Sequence, residues 1–173
     1  MLRTAGINHI ALVCRDMRET VDFYTRILGM PLVKTVVLPG GGQHFFFDCG
    51  GGSTVAFFWW HDAPAAAPGI ASVREFPYDS KTAVGSMNHL AFHMEESELE
   101  AALAKLDAAG VPNTPAVVNH DDSAAGVARD IHPGVFVRSV YFTDPNGIML
   151  EFAAFTRKFT SADVAHEPAV MED

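Results

Sequence analysis

The chain has few cysteines, little positive charge and no long apolar run. Its 173 residues include two cysteines, Cys14 and Cys49, which are too few for a secreted disulfide scaffold and indicate reduced thiols in a cytoplasmic protein. A net charge of −9 argues against binding to nucleic acid or to an anionic membrane surface. The apolar runs are too short to span a membrane, and the first residues show no signal peptide.

An internal repeat organises the rest of the chain. Asn8-His9-Ile10-Ala11 recurs as Asn88-His89-Leu90-Ala91, and each copy lies in an alternating apolar segment that predicts a strand. A helical run follows each of these strands. The predicted elements are, in order, strand 7–13, helix 17–28, strands 32–38, 43–49 and 54–60, then strand 87–94, helix 98–109, and strands 114–118, 137–143 and 148–155. Each half therefore has the pattern β-α-β-β-β.

The ends of the two helical runs carry matching signals. Asp16 and Ser97 are each followed three residues later by a glutamate, a pattern typical of a capping box at a helix start. Gly29 and Gly110 stand where a left-handed residue commonly ends a helix. The ordered match of strand, helix start, helix stop and final strand indicates two copies of one module.

The repeat predicts a single domain over residues 1–160. It consists of a first module at 6–60, a linker rich in Ala and Pro at 61–85, and a second module at 86–156. Residues 161–173 have little apolar content, so we expect a flexible tail there.

A tight turn connects the last two predicted strands. Asp144-Pro145-Asn146-Gly147 has the residue preferences of a type I turn, and a following left-handed glycine makes a three-residue hairpin loop. That loop places Tyr141 directly opposite Glu151 on one face of the sheet. A two-residue loop would instead pair Glu151 with Val140. The turn chemistry favours the first register.

Three side chains at equivalent places in the two halves are candidate metal ligands: His9, His89 and Glu151. Two imidazoles and one carboxylate form a facial triad when they converge, and they leave open positions for substrate. A lone histidine in an apolar strand is more often a hydrogen-bonded core residue. The three together, at repeat-equivalent positions, favour the ligand interpretation.

Several stretches resemble one known superfamily, the vicinal-oxygen-chelate proteins, which include glyoxalases, bleomycin-resistance proteins and extradiol dioxygenases. The resemblance covers nearly all of residues 6–156, and the stretches that carry it are Ile7 to Val13, Asp22 to Met30 and Tyr141 to Glu151. It implies an α+β fold of two paired βαβββ modules that form a curved sheet around a metal-binding cleft. It also implies that His9, His89 and Glu151 occupy the ligand positions of the superfamily.

The resemblance specifies the reaction less closely than it specifies the fold. Glyoxalase I-like members have a fourth ligand, a glutamate in strand four, where this chain has Ala56. A three-ligand site is similar to that of the extradiol dioxygenases and the fosfomycin transferases. His132, Tyr141 and Glu151 also have the spacing of the extradiol signature, in which the His and Tyr contact substrate and move protons.

Two features of this chain depart from the extradiol pattern. Asp130 stands where the signature has a small or apolar residue, and the stretch Gly52-Ser53-Thr54 lacks the further active-site histidine found near the start of strand four. Catechol cleavage is therefore not the only reaction the resemblance allows. His132 as a solvated loop residue and Tyr141 as an ordinary sheet residue are the alternative interpretations.

The expected protein is a cytoplasmic homodimer that acts on a small molecule, as a dioxygenase for a catechol or enediol. Its metal is expected to be Fe(II), with Mn, Ni or Zn as alternatives. The alternative functions are a metal-dependent lyase, isomerase or thiol transferase, and a metal-free binding protein that confers resistance. His93 is expected either to line the cleft or to be packed. The remaining histidines are expected on the surface or in loops: His44, His61, His120 and His166.

Overall fold

The computed structural model of the chain describes residues 4–65, 82–164 and 166–169. The first half of the chain forms a four-stranded sheet in the order β1-β4-β3-β2. β1 runs parallel to β4, and the other neighbours are antiparallel. The strands are β1 His9–Val13, β2 Leu32–Val37, β3 Gln43–Asp48 and β4 Thr54–Trp59.

The second half forms a five-stranded sheet in the order β5-β9-β8-β6-β7. As in the first half, the first strand lies parallel to the last, β5 beside β9. The strands are β5 Leu90–His93, β6 Val118–His120, β7 Val127–Ala128, β8 Val137–Thr143 and β9 Met149–Phe155. The repeated topology confirms the predicted α+β fold of paired βαβββ modules.

One strand forms later in the chain than the sequence predicts. The expected segment 114–118 contains Pro115, which has no N–H to donate to a sheet ladder. An isolated bridge pairs Asn113 with Phe142 of β8 before the proline, and the regular ladder with β8 runs from Val118 to His120. The stretch 119–134 also contributes the short strand β7.

The first helix begins as the sequence predicts. α1 covers Met17–Asp22, and a π-helical turn continues it over Phe23–Ile27. The Asp16 carboxylate accepts a hydrogen bond from the backbone N–H of Glu19 at 3.0 Å, which satisfies one of the free donors at a helix start. Gly29 has a φ of 78°, so the left-handed helix stop is confirmed.

The second helix begins differently. α2 covers Leu99–Ala108, and a 3-10 turn over Glu96–Glu98 precedes it. The capping box predicted at Ser97 is wrong: Ser97 lies inside this turn, and the helix has no side-chain cap. A capping residue needs an extended backbone just before the helix, which a residue inside a turn does not have. Gly110, with a φ of 67°, ends the helix region as predicted.

Both sheets pack one face against a single core. Alternation along each strand sends Val55 and Phe57 of β4, and Leu150 and Phe152 of β9, into that core together with side chains of both helices. The neighbouring positions, including Glu151, therefore lie on the opposite sheet faces.

The predicted hairpin turn also connects the two halves. The Asp144 N–H donates to the Ile148 carbonyl at 3.1 Å, and β8 pairs with β9 so that Tyr141 faces Glu151. The predicted register is confirmed. The Asn146 side chain in this turn accepts a hydrogen bond from the Arg15 N–H at 2.9 Å, which holds the start of α1 against the second sheet.

The predicted linker and tail fall partly outside the described residues. Residues 66–81 of the linker, and residues 165 and 170–173 of the tail, are not among them, so the proposed domain boundaries remain a prediction. The tail begins with a 3-10 turn over Ser161–Asp163, where Asp163 contacts the Arg157 guanidinium at 2.6 Å. In the described part of the chain, no helix is long and apolar enough to cross a membrane.

Candidate metal site

The repeated Asn-His dipeptide has the same local geometry in both halves. His9 Nδ1 lies 2.8 Å from the side-chain oxygen of Asn8, and His89 Nδ1 lies 2.7 Å from that of Asn88. An Nδ1–H donated to an oxygen holds the ring orientation and leaves Nε2 as the nitrogen available to a cation. Each asparagine therefore prepares its histidine to bind a cation through Nε2.

His89 and Glu151 form the centre of the candidate site. The His89 Nε2 lies 2.9 Å from one Glu151 carboxylate oxygen, and the Ser139 hydroxyl donates to the other. Glu151 is 4% exposed, so its charge depends on these partners. Burial raises the pKa of Glu151, but hydrogen bonds from His89, Ser139 and Tyr141 outweigh it and lower the pKa below its ordinary value.

Tyr141 stands beside this pair, as the turn register predicts. Its ring meets the His89 ring edge-on, with centroids 5.6 Å apart, and its hydroxyl hydrogen-bonds to Glu151. The Tyr141 backbone is held by Thr114, whose N–H donates to the Tyr141 carbonyl at 2.9 Å. The phenol is thus a fixed donor next to two of the three predicted ligands.

His120 belongs to the same group, although the sequence reasoning placed it in a loop. That prediction is wrong, because His120 is the last residue of β6 and its Nε2 lies 3.1 Å from the Tyr141 hydroxyl. The sequence signal that could have placed His120 in a strand was Pro115, which delays the start of β6. A strand that starts only after the proline puts His120 on the same sheet face as Val118 and Ser139.

His132 lies in the loop between β7 and β8. Its Nε2 is 3.1 Å from an Asp121 carboxylate oxygen, and its Nδ1 accepts a hydrogen bond from the Gly134 N–H. Both ring nitrogens are therefore used inside the loop. The role in proton transfer that the family signature implies for His132 stays a prediction.

His9 lies on an aromatic sheet face of the first half. Its ring contacts Phe46 edge-on at 5.9 Å, and Phe46 contacts His44 at 4.3 Å. His44 stacks on Phe58 at 3.6 Å, and Phe58 stacks on Trp60 at 4.8 Å. His44 is part of β3, so its predicted place in a loop or on the surface is wrong. The result is a continuous wall of flat rings beside one predicted ligand.

The family assignment rests on a match along most of the chain. Residues 6–152 match the model of the Glyoxalase/Bleomycin resistance protein/Dioxygenase superfamily. The chain belongs to this superfamily. Its members are mostly enzymes, and they typically bind a divalent metal. No curated protein matches the chain.

Solved structures of this superfamily share the fold. A glyoxalase family protein from Enterococcus faecalis aligns with a TM-score of 0.59 at 23% identity, over 86% of this chain and 97% of that one. The fosfomycin resistance protein FosX from Listeria monocytogenes, in complex with Mn(II) and sulfate, aligns with a TM-score of 0.56 at 18% identity, over 89% and 95% of the two chains. At these identities the likeness shows the fold alone.

The three predicted ligands do not come together as one group within the described chain. Among the described residues, no three His, Cys, Asp or Glu side chains form a group that could hold a metal ion. The structure brings His89 to Glu151 but does not bring His9 to either. In β1 and β9 the neighbouring positions Leu12, Leu150 and Phe152 pack in the core, so His9 and Glu151 each stand on the other face of their own sheet.

A separate cleft of about 360 Å³ lies along the seam between β1 and β5. Its lining is mostly apolar and includes Ile10, Val55, Leu90 and His93, whereas His9, His89 and Glu151 lie outside it. His93 lines this cleft, and its predicted place in the metal-binding cleft stays a prediction. That cleft is not the space in front of the candidate ligands.

Proposed function

We propose that this chain is a metal-dependent dioxygenase for a small substrate that carries two neighbouring oxygens, a catechol or an enediol. One observation carries the proposal: the Tyr141 phenol lies beside the His89–Glu151 pair, with its hydroxyl directed at the carboxylate. A phenol in that position can donate a hydrogen bond to an oxygen of the substrate or exchange a proton with it.

His9, His89 and Glu151 are the residues that would hold the metal. Two imidazoles and one carboxylate suit Fe(II), with Mn, Ni or Zn as alternatives. A divalent ion bound there would supply a Lewis acid that polarises both oxygens of the substrate. Cys14 and Cys49 are free, which supports a reducing compartment, the cytoplasm, where iron stays in the Fe(II) state.

We further propose a homodimer in which the site is completed between two copies. Within one chain, His9 does not form a metal-holding group with His89 and Glu151. A second copy that presents its first sheet to this second sheet would bring His9 of the partner subunit to His89 and Glu151. A two-fold axis then builds two equal sites.

The first sheet would supply the substrate-binding wall of this site. Phe46 and the stacked rings of Phe58 and Trp60 lie on the same aromatic face as His9. Flat rings bind an aromatic substrate by stacking and exclude water from it. This arrangement supports a catechol more than an aliphatic enediol.

A redox-neutral reaction is the second candidate: a metal-dependent lyase, isomerase or thiol transferase. The observation that favours it is the loop position of His132, whose two ring nitrogens are already used. Without that histidine the extradiol signature is incomplete at the site. Mg(II) or Ni(II) would support a redox-neutral reaction but not dioxygenation.

The first experiment measures metal content and oxygen uptake together. We expect about one metal ion per chain in protein purified without chelator, and its loss in Glu151→Ala. Glu167→Ala, which changes an exposed tail residue, is the matched control and should keep its metal. The Fe(II)-loaded wild type should consume oxygen with at least one member of a broad panel of catechols.

The outcomes separate the candidate functions. Metal without oxygen uptake on any catechol rejects the dioxygenase and supports the redox-neutral enzyme. A protein that takes up no metal after anaerobic reconstitution with Fe(II) or Mn(II) is instead a binding protein. For such a protein, the Glu151→Ala variant should bind the small-molecule ligand as well as the wild type does.

A further inference from the structure

We propose that His120 is a positioning residue for the reaction, which acts by holding the Tyr141 phenol in its catalytic orientation. The inference rests on the proposed function, because Tyr141 serves the substrate there. Neither the family signature nor the spacing of the sequence indicates His120. The contact between the His120 Nε2 and the Tyr141 hydroxyl, 3.1 Å long, is the observation that points to it.

The ring of Tyr141 lies between two imidazoles. It meets His89 edge-on at 5.6 Å and His120 edge-on at 5.9 Å, both with interplanar angles of 89°. His89 belongs to the candidate metal site, whereas His120 approaches from β6 on the other side. The phenol therefore has one side toward the site and one side toward His120.

Counting protons gives the direction of each hydrogen bond. The Tyr141 hydroxyl has one proton and hydrogen-bonds to the Glu151 carboxylate. An ionised carboxylate can only accept, so the phenol donates that proton to Glu151. The hydroxyl must then accept the hydrogen bond from His120, since a phenol has only one hydrogen to donate. The His120 ring is thus in the form that carries its proton on Nε2.

The position of His120 is itself well supported. β6 pairs with β8, the strand that carries Tyr141. The neighbouring Asn119 accepts a hydrogen bond from the Arg138 guanidinium at 3.0 Å. On the other side, Asp121 is held by His132 at 3.1 Å. His132 thus fixes the chain next to His120 and supports the site indirectly.

An accepted hydrogen bond from His120 limits rotation of the phenol O–H. The hydroxyl proton then points toward the site instead of sampling several directions, and this preorganisation favours substrate binding and proton transfer. Loss of one such hydrogen bond is worth about tenfold in a binding constant. This effect needs no rearrangement of the residues around the His120–Tyr141 contact.

The first test uses metal-free protein and does not depend on activity. Long-range proton–nitrogen spectra of the ¹⁵N-labelled imidazoles report which ring nitrogen carries the proton. We expect His120 to show an Nε2–H form, and we expect its nitrogen shifts to change in Tyr141→Phe. A proton on Nδ1, or spectra unchanged by Tyr141→Phe, would overturn the inference.

The second test measures binding of 4-nitrocatechol to Mn(II)-loaded protein by visible absorption. His120→Leu should bind Mn(II) like the wild type but bind the catechol about tenfold more weakly. His120→Gln should restore most of the affinity, because its amide N–H can take the place of Nε2–H. His166→Leu, a change at an exposed tail residue, should have no effect.

The outcomes are distinguishable from failure of the proposed function. If His120→Leu binds the catechol like the wild type, or if Gln and Leu weaken binding equally, His120 has no positioning role. If the wild type binds no metal, the proposed function fails. The nitrogen spectra then decide alone whether His120 holds Tyr141.

Discussion

At the scale of single residues, Glu151 shows how the fold prepares a charge for function. A buried carboxylate is costly unless it has partners, and this one has an imidazole, a hydroxyl and a phenol around it. Ser139 is fully buried, and its hydroxyl donates a hydrogen bond to the Glu151 carboxylate. It therefore sets the orientation of the carboxylate without facing the substrate.

Ser139→Ala should weaken metal binding while leaving the three predicted ligands intact. Removal of a hydrogen bond behind a metal ligand costs about 10- to 100-fold in affinity, because the ligand loses its fixed orientation. Titration calorimetry with Mn(II) measures the change. Ser97→Ala, at an exposed position away from the site, is the matched control and should bind Mn(II) as the wild type does. Equal Mn(II) affinities of Ser139→Ala and Ser97→Ala would show that Ser139 has no role in the metal site.

At the scale of secondary-structure elements, the two helices show that similar sequence signals do not give equal structures. Asp16 has an extended backbone, with φ −136° and ψ 112°, and its carboxylate caps α1. Ser97 lies inside a 3-10 turn that leads into α2.

This difference predicts unequal effects of two matched substitutions on stability. Asp16→Ala should lower the free energy of unfolding by about 1 kcal/mol, because it removes a helix cap. Ser97→Ala should change it by less than about 0.5 kcal/mol, as exposed substitutions without a special contact do. Urea denaturation of both variants beside the wild type measures the two values. A larger loss for Ser97→Ala would show that the serine caps α2 in solution.

At the scale of the whole molecule, the shared core decides how a site can form. Residues of both sheets and both helices share one core, and His9 does not join His89 and Glu151 in a metal-holding group within one chain. One chain can therefore bury its apolar side chains without completing the proposed metal site. In the proposed homodimer, the association of two chains would be a condition for activity.

Mixing two defective variants tests this arrangement. His9→Ala and Glu151→Ala should each bind no metal. In a mixed dimer one site contains both substitutions and the other contains neither, so an equal mixture, unfolded and refolded together, should recover about one quarter of the wild-type metal content. Metal analysis after gel filtration measures this recovery. Recovery of no metal from a mixture shown to contain mixed dimers would place each site within one chain.

Much of the fold was predictable from local patterns. The alternation of apolar residues and the Asn-His repeat identified both modules, because strand faces follow a period of two that is visible in the sequence. The residues at 144–147 also predicted the register that sets Tyr141 opposite Glu151, because a loop of defined length pairs defined residues.

The sequence by itself therefore determined the paired βαβββ modules, the helix stops at Gly29 and Gly110, and the juxtaposition of Tyr141 with Glu151, all of which depend on neighbours in the chain or across one turn. Only the tertiary structure decided that His120 reaches Tyr141 and that His9 stays apart from Glu151 within one chain. Those relations depend on where β6 joins the sheet and on how two sheets share a core. Packing between distant segments sets both, and no local pattern encodes it.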